Sequence, residues 1–193
     1  MANVLFVKPN EKNTRYKIGV DDDQDSATYS VSAAVYSGIG APKRGAELTY
    51  SELLEIRRDD EIYRATKKAY SCIAYSDRSK YALRMKLRSL GFSAEASALA
   101  IERCEQLGYL DENRQLLRAV EREANYGLRG KYYIKRKLAG KGYSLGGIDD
   151  AIRTLTESGE VDFDANFERL AQKRGALSDE DRLALKYRFG YKI

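Results

Sequence analysis

The sequence predicts a mainly α-helical chain: tandem three-helix repeats forming an elongated, curved array, preceded by a small N-terminal β-strand region, with the third repeat truncated. Three observations carry this expectation. The only prolines, Pro9 and Pro42, lie near the N-terminus, so the rest of the chain is free of the strongest helix breaker. One offset of 51 residues superimposes apolar and glycine positions throughout the helical part. Helix start and stop signals recur at that same offset.

The N-terminal elements come first. Val4–Val7, Arg15–Val20 and Ala27–Val31 combine β-branched and aromatic residues between polar connections, and read as three short strands. The acidic run Asp21, Asp22, Asp23, Gln24, Asp25 lacks the glycine and terminal glutamate of a calcium loop and reads as a solvated turn. Ser32 is placed to cap a short helix ending near Gly38. Lys43 to Leu48 reads as a turn, and Thr49 with Glu52 forms a capping box that opens the helical region.

The helices follow in repeats. Leu83 falls on Ile134, Leu87 on Leu138, Gly91 on Gly142, Ser93 on Ser144, Gly108 on Gly159 and Asp111 on Asp162. A third copy aligns Leu116 with Phe167, Ile134 with Leu185 and Leu138 with Phe189. Units of this length stack because each is too small to bury its own apolar face. The first holds helices near Asp60–Tyr75, Ser79–Leu90 and Ser93–Leu107; the second near Glu112–Tyr126, Gly130–Gly140 and Ser144–Thr156. The third holds Asp164–Arg174 and Asp179–Phe189, and lacks a last helix. The expected organisation is 1–50 for the N-terminal region, 51–111 and 112–162 for two full repeats, and 163–193 for the partial one. The missing helix is expected to leave Leu183, Leu185 and Phe189 partly uncovered, with the second repeat, the strands or another chain as alternative covers.

Composition excludes several functions. With no histidine, the chain lacks the commonest general base and metal ligand. Cys72 and Cys104 have no CxxC partner and read as small core residues. Neither a leader nor an apolar run of membrane-spanning length is present, which implies a cytoplasmic protein without membrane contact. The carboxylate pairs Asp149–Asp150 and Asp162/Asp164 are accounted for as caps and turns, so no catalytic residue, metal or cofactor is expected.

The charge layout is informative. Residues 1–50 balance six basic against six acidic side chains, so the whole net charge of +5 lies beyond them. No acidic residue lies between Arg78 and Ser93, between Tyr126 and Gly142, or after Asp181, the three middle helices. Lys80, Lys131 and Arg182 are equivalent by repeat, as are Arg84, Lys135 and Lys186. Tyr81, Tyr132, Tyr133 and Tyr187 lie among them, suited to stacking on bases or sealing a protein interface. Lys80, Arg84, Arg88, Lys131, Lys135, Arg136 and Lys137 are the candidate partner-binding residues. Solvated helix faces are the alternative explanation of the same charges.

The order of these features resembles the RecX family. Ser79, Leu83, Lys86-Leu87 and Gly91-Phe92 are similar to its opening pattern, and Gly108-Tyr109-Leu110-Asp111 to a junction between its repeats. Tyr126-Gly127, Ile134, Lys137-Leu138 and Gly142-Tyr143 resemble its second repeat, and the N-terminal strands with Lys43–Leu48 match its longer members. Ala82 departs from the pattern, standing where the family often has Glu, which leaves Ser79 without a reciprocal capping partner. The resemblance implies a non-enzymatic, monomeric regulator that binds the RecA recombinase filament on single-stranded DNA. It would inhibit ATPase, strand exchange and co-protease activity, modulating DNA repair, recombination and the SOS response. The alternative is a direct, nonspecific nucleic-acid-binding helical module, and weak DNA contact is compatible with both.

Overall fold

A computed structural model describes residues 2–22, 25–176 and 178–191. Strands β1 (Ala2–Pro9), β2 (Arg15–Asp22) and β3 (Asp25–Ser32) are followed by the short helix α1 (Ala33–Gly38), strand β4 (Glu47–Leu48) and helix α2 (Tyr50–Tyr75). Then come α3 (Lys80–Ser89), α4 (Ala94–Gln106), α5 (Glu112–Glu121), a π-helical turn (Arg122–Tyr126), α6 (Lys131–Gly140), α7 (Leu145–Glu157), α8 (Phe163–Arg174) and α9 (Asp179–Phe189). The residues divide into two compact units: Met1–Cys72 with Arg84–Tyr109, and Ile73–Leu83 with Leu110–Ile193.

In the first unit the strands form an antiparallel sheet in the order β3-β2-β1-β4. Alternation along β1 buries Ala2 and Val4, which join Ile18, Val20, Val31, Leu53 and Ile56 in one core. A register shift between Val4 and Phe6 lays the Phe6 ring over Gly19, where a Cβ would sit 2.3 Å from it. The Lys43–Leu48 segment is more than a turn: its last two residues pair with Ala2 and Asn3 as β4. Asp21 and Asp22 extend β2, with the hydroxyl of Ser26 donating to Asp21 and Arg57 paired with Asp22; Asp23 and Gln24 lie outside the described residues.

Helix α2 starts ten residues before the expected Asp60, directly at the capping box. The Thr49 N–H donates to Glu52 at 2.7 Å, and the Glu52 N–H returns to the Thr49 hydroxyl at 3.3 Å. That bond to the Thr49 backbone holds the Glu52 carboxyl below its ordinary pKa. Two acids about two and a half turns along α2 protect the sheet edge. Asp60 accepts the Ser30 N–H at 2.8 Å and Asp59 the Ser32 N–H at 2.7 Å, so amides of edge strand β3 are engaged. Asp60 is buried and also holds Arg64 at 2.7 Å.

The helical repeat is visible in the backbone. Helices α3 and α6 are each 10 residues long and α4 and α7 each 13, both pairs offset by the repeat length. Gly91 and Gly142 end α3 and α6 with φ of 89° and 85°, a left-handed stop that glycine adopts without strain. Ser93 and Ser144 then cap the next helices through the N–H groups of Ala96 and Gly147.

The second unit centres on Leu116, Val120, Ile134, Leu138, Ile148, Ile152, Phe163, Phe167 and Leu170. The expected uncovering of the last helix is corrected for Phe189, which is buried in this core, while Leu185 is half-buried against it and Leu183 is exposed. The cover for Phe189 comes from the second repeat. Gly130 N–H donates to the Phe189 carbonyl at 2.9 Å and Tyr132 N–H to the Gly190 carbonyl at 3.0 Å. A Cβ on Gly130 would lie 2.2 Å from the Gly190 oxygen, so the backbones meet directly. The Arg129 guanidinium closes this corner, 4.4 Å from the Tyr133 ring centroid and 4.5 Å from that of Phe189.

Candidate basic interface

Helix α3 carries Lys80, Arg84 and Arg88 at i, i+4 and i+8, along one border of the stripe that buries Leu83 and Leu87; Arg84 and Arg88 are exposed and Lys80 is half-buried. Its start is capped from two directions. The Ser79 hydroxyl accepts the Ala82 N–H at 3.1 Å, and the Glu112 carboxylate of α5 accepts the Lys80 N–H at 2.9 Å. Glu112 thus satisfies from another helix one free N–H of the first turn, that of Lys80, while Ala82 offers Ser79 no reciprocal bond. Arg84 is exposed and has no ion-pair partner among the described residues. Arg88 is exposed but engaged, donating to the Phe92 carbonyl at 2.8 Å across the Gly91 turn.

Helix α6 brings Lys131, Lys135, Arg136 and Lys137 together on one element but points them in different directions. Lys131 places its ammonium 5.1 Å from the Phe163 ring centroid. Lys135 pairs with Asp149 of α7 at 2.5 Å, and Lys137 with Glu123 of the π-helical turn at 2.7 Å. Arg136 stands in solvent beside exposed Tyr132, with no carboxylate partner among the described residues. In α9, Arg182 pairs with Glu168 of α8, and Lys186 lies 5.4 Å from the Phe167 centroid. The acid-free stretches of sequence therefore receive carboxylates from neighbouring elements. Of the seven candidates, Arg84, Lys131 and Arg136 are exposed with neither an ion pair nor a hydrogen bond among the described residues, and of these Lys131 and Arg136 lie 5.1 Å and 6.0 Å from the Phe163 and Tyr133 ring centroids.

The other chemistry-bearing residues have structural partners. Asp150 pairs with Arg153 at 2.6 Å, and Asp162 caps α8 through the N–H groups of Asp164 and Ala165. Both cysteines are free and buried, and burial, with Glu105 nearby, pushes the Cys104 thiol up to about 11. No group of three or more metal-ligating side chains occurs among the described residues, and no helix there is long and apolar enough to cross a membrane.

A second cationic cluster escaped the sequence analysis. Within the second unit, Arg118 of α5 and Arg122 of the π-helical turn line a cavity of about 320 Å³ together with Arg78 before α3 and Lys141 after α6. The Ser79 hydroxyl donates to the Lys141 carbonyl at 2.8 Å and fixes these last two elements together. Buried Tyr143 donates to Gln115 at 3.4 Å; its phenol is pushed up by burial first, then by Asp77 and Glu112. The i, i+4 spacing of Arg118 and Arg122 was the available sequence signal. The convergence with Arg78 and Lys141 is non-local and leaves no local trace.

No family model matches the chain. Among curated proteins, regulatory protein RecX of Lactobacillus johnsonii is 30% identical over 155 residues, covering 79% of this chain and 55% of the relative. That of Lactobacillus gasseri is 26% identical over 162 residues, covering 84% and 58%. The chain thus spans somewhat more than half the length of these relatives. Among solved structures, a crystal structure of regulatory protein RecX matches 98% of this chain and 93% of its own, with a TM-score of 0.69 at 19% identity. RecX from Lactobacillus salivarius matches 67% and 86%, with a TM-score of 0.55 at 22% identity.

Proposed function

Because this chain belongs to the RecX family of regulatory proteins, we propose that it acts in the cytoplasm without catalysis, by binding a RecA-class recombinase filament on single-stranded DNA. Bound there, its repeated helices bridge adjacent recombinase protomers and hinder ATP turnover, strand exchange and co-protease activity. The observation that carries the reading is the pair of repeat-related helices, α3 and α6, each offering an exposed arginine without a carboxylate partner: Arg84 and Arg136. Such charges steer encounter and set specificity toward an acidic surface. Lys80, Arg88, Lys131, Lys135 and Lys137 complete the proposed contact, with Lys135 and Lys137 exchanging Asp149 and Glu123 for the partner.

Charge reversal tests the residues. Arg84→Glu with Arg136→Glu removes no ion pair from the fold, so loss of filament binding reports on contact alone. The double variant is expected to weaken binding by at least about tenfold in sedimentation with cognate recombinase filaments. Unchanged binding would remove α3 and α6 from the interface. Exposed Tyr81 and Tyr132 beside the basic residues favour a second reading, direct nonspecific DNA binding. It requires affinity for DNA alone that falls steeply with salt, by about 0.7–0.9 in logarithmic slope per neutralised phosphate.

A further inference from the structure

We propose that the cavity ringed by Arg78, Arg118, Arg122 and Lys141 binds an organic phosphate of mononucleotide size. The inference stands apart from recombinase binding, since none of the four is among the proposed contact residues. Charge is the first support. Four cations from three segments converge on one concavity whose only lining carboxylate is Asp77. Arg118 and Arg122 have no ion-pair partner among the described residues. The Arg78 Nε–H is buried and has no acceptor there either. A buried, charged donor left unpaired is costly, and an anion seated here satisfies it.

Size and lining decide between a bare anion and an organic one. About 320 Å³ lies at the lower end of the roughly 300–1,000 Å³ of small-molecule sites. A lone phosphate, comparable with a few waters of about 30 Å³ each, would leave most of it empty. Ala82, Ala119 and Leu138 give the cavity an apolar wall, and the ring of Tyr81 stands at its edge, largely exposed. The arginines suit a phosphate with their planar forks, and the tyrosine suits a base by stacking.

The repeat supplies a comparison within the chain. At the equivalent corner, Tyr133 stands in place of Ala82, and Arg129, the counterpart of Arg78, lies against its ring and that of Phe189, the last residue of α9. There aromatic side chains hold the arginine by cation–π contact and occupy the corner. At the first corner both the space and the unpaired arginine remain.

The test is calorimetric titration of the full chain with AMP at low salt, with adenosine and inorganic phosphate run in parallel. AMP is expected to bind saturably, and each fragment at least about tenfold more weakly. Arg118→Gln with Arg122→Gln should weaken AMP at least about tenfold, as loss of two charge-assisted bonds requires. Ala82→Tyr should abolish binding by filling the cavity as Tyr133 fills its counterpart, with the circular dichroism spectrum unchanged. Displacement of AMP by a 5′-phosphorylated oligothymidylate identifies nucleic-acid ends as the source of the nucleotide; persistence of AMP identifies the free mononucleotide. Absence of AMP binding, equal affinity for phosphate and AMP, or wild-type affinity in the arginine variant overturns the proposal.

Discussion

The two corners of the second unit start from one sequence pattern and end as different objects. Where α3 meets the end of α6, Arg78, Ala82 and Leu138 border a cavity. Where α6 meets the end of α9, Arg129 and Tyr133, the counterparts of Arg78 and Ala82, form a closed stack with Phe189. The glycines behave alike: Gly142 and Gly190 both have φ near 80° and both end a helix. A left-handed glycine stop is thus kept at both corners, although Gly190 comes three residues early for the 51-residue offset, while the side chains around it choose between core and cavity. A repeat protein can vary function at one module without disturbing the stacking of the next.

The comparison is broken most forcefully at the closed corner. Phe189→Ala removes a buried ring from the core and is expected to cost about 3–5 kcal/mol in urea denaturation. A cost below about 1 kcal/mol would mean that this corner is not packed as described. Next come the paired glycines. Gly190→Ala puts a Cβ 2.4 Å from the Tyr133 backbone nitrogen at a left-handed φ, and should cost more than about 2 kcal/mol. Gly142→Ala meets side-chain atoms of Tyr81 at 2.6 Å and Ser79 at 2.9 Å; the largely exposed Tyr81 ring can move, the buried and hydrogen-bonded Ser79 cannot without loss, so about 1–2 kcal/mol is expected. Equal costs would remove the distinction between the corners.

The smallest effect is read through pH. Tyr191 packs edge-on against Phe167, 5.1 Å between centroids, and its hydroxyl has no partner among the described residues. Burial pushes the phenol up to about 12, against the opposing pull of Arg129 and Arg169. The folded state therefore holds this proton more tightly than the unfolded chain, whose phenol titrates near 10. The contribution is complete below pH 10 and is lost as pH rises toward 12. Tyr191→Phe should change stability by less than about 1 kcal/mol at pH 8 and flatten its decline above pH 10. An unaltered alkaline decline would place the tyrosine in solvent.

Local signals carried most of the fold. Caps at Thr49, Ser93 and Ser144, the glycine stops and the spacing of Leu83 and Leu87 locate helix boundaries within a few residues, because each acts over one turn. Strand β4 was missed because two residues have no periodicity. The edge protection by Asp59 and Asp60 joins groups about thirty positions apart in sequence and was equally invisible. The same limit explains the charges. Acid-free runs suggested open basic faces, yet Asp149 and Glu123 reach Lys135 and Lys137 from other elements. The open corner was half legible: the offset aligns Ala82 with Tyr133, but what that exchange empties depends on α5.

The central claim, regulation of a recombinase, is tested most directly by single-stranded-DNA-dependent ATP hydrolysis of the cognate RecA-class enzyme with this chain titrated in. Inhibition is expected well below one chain per recombinase protomer, because a bridging regulator acts on a filament rather than on isolated protomers. No inhibition at stoichiometric excess of folded chain would contradict the account and leave direct nucleic-acid binding in its place.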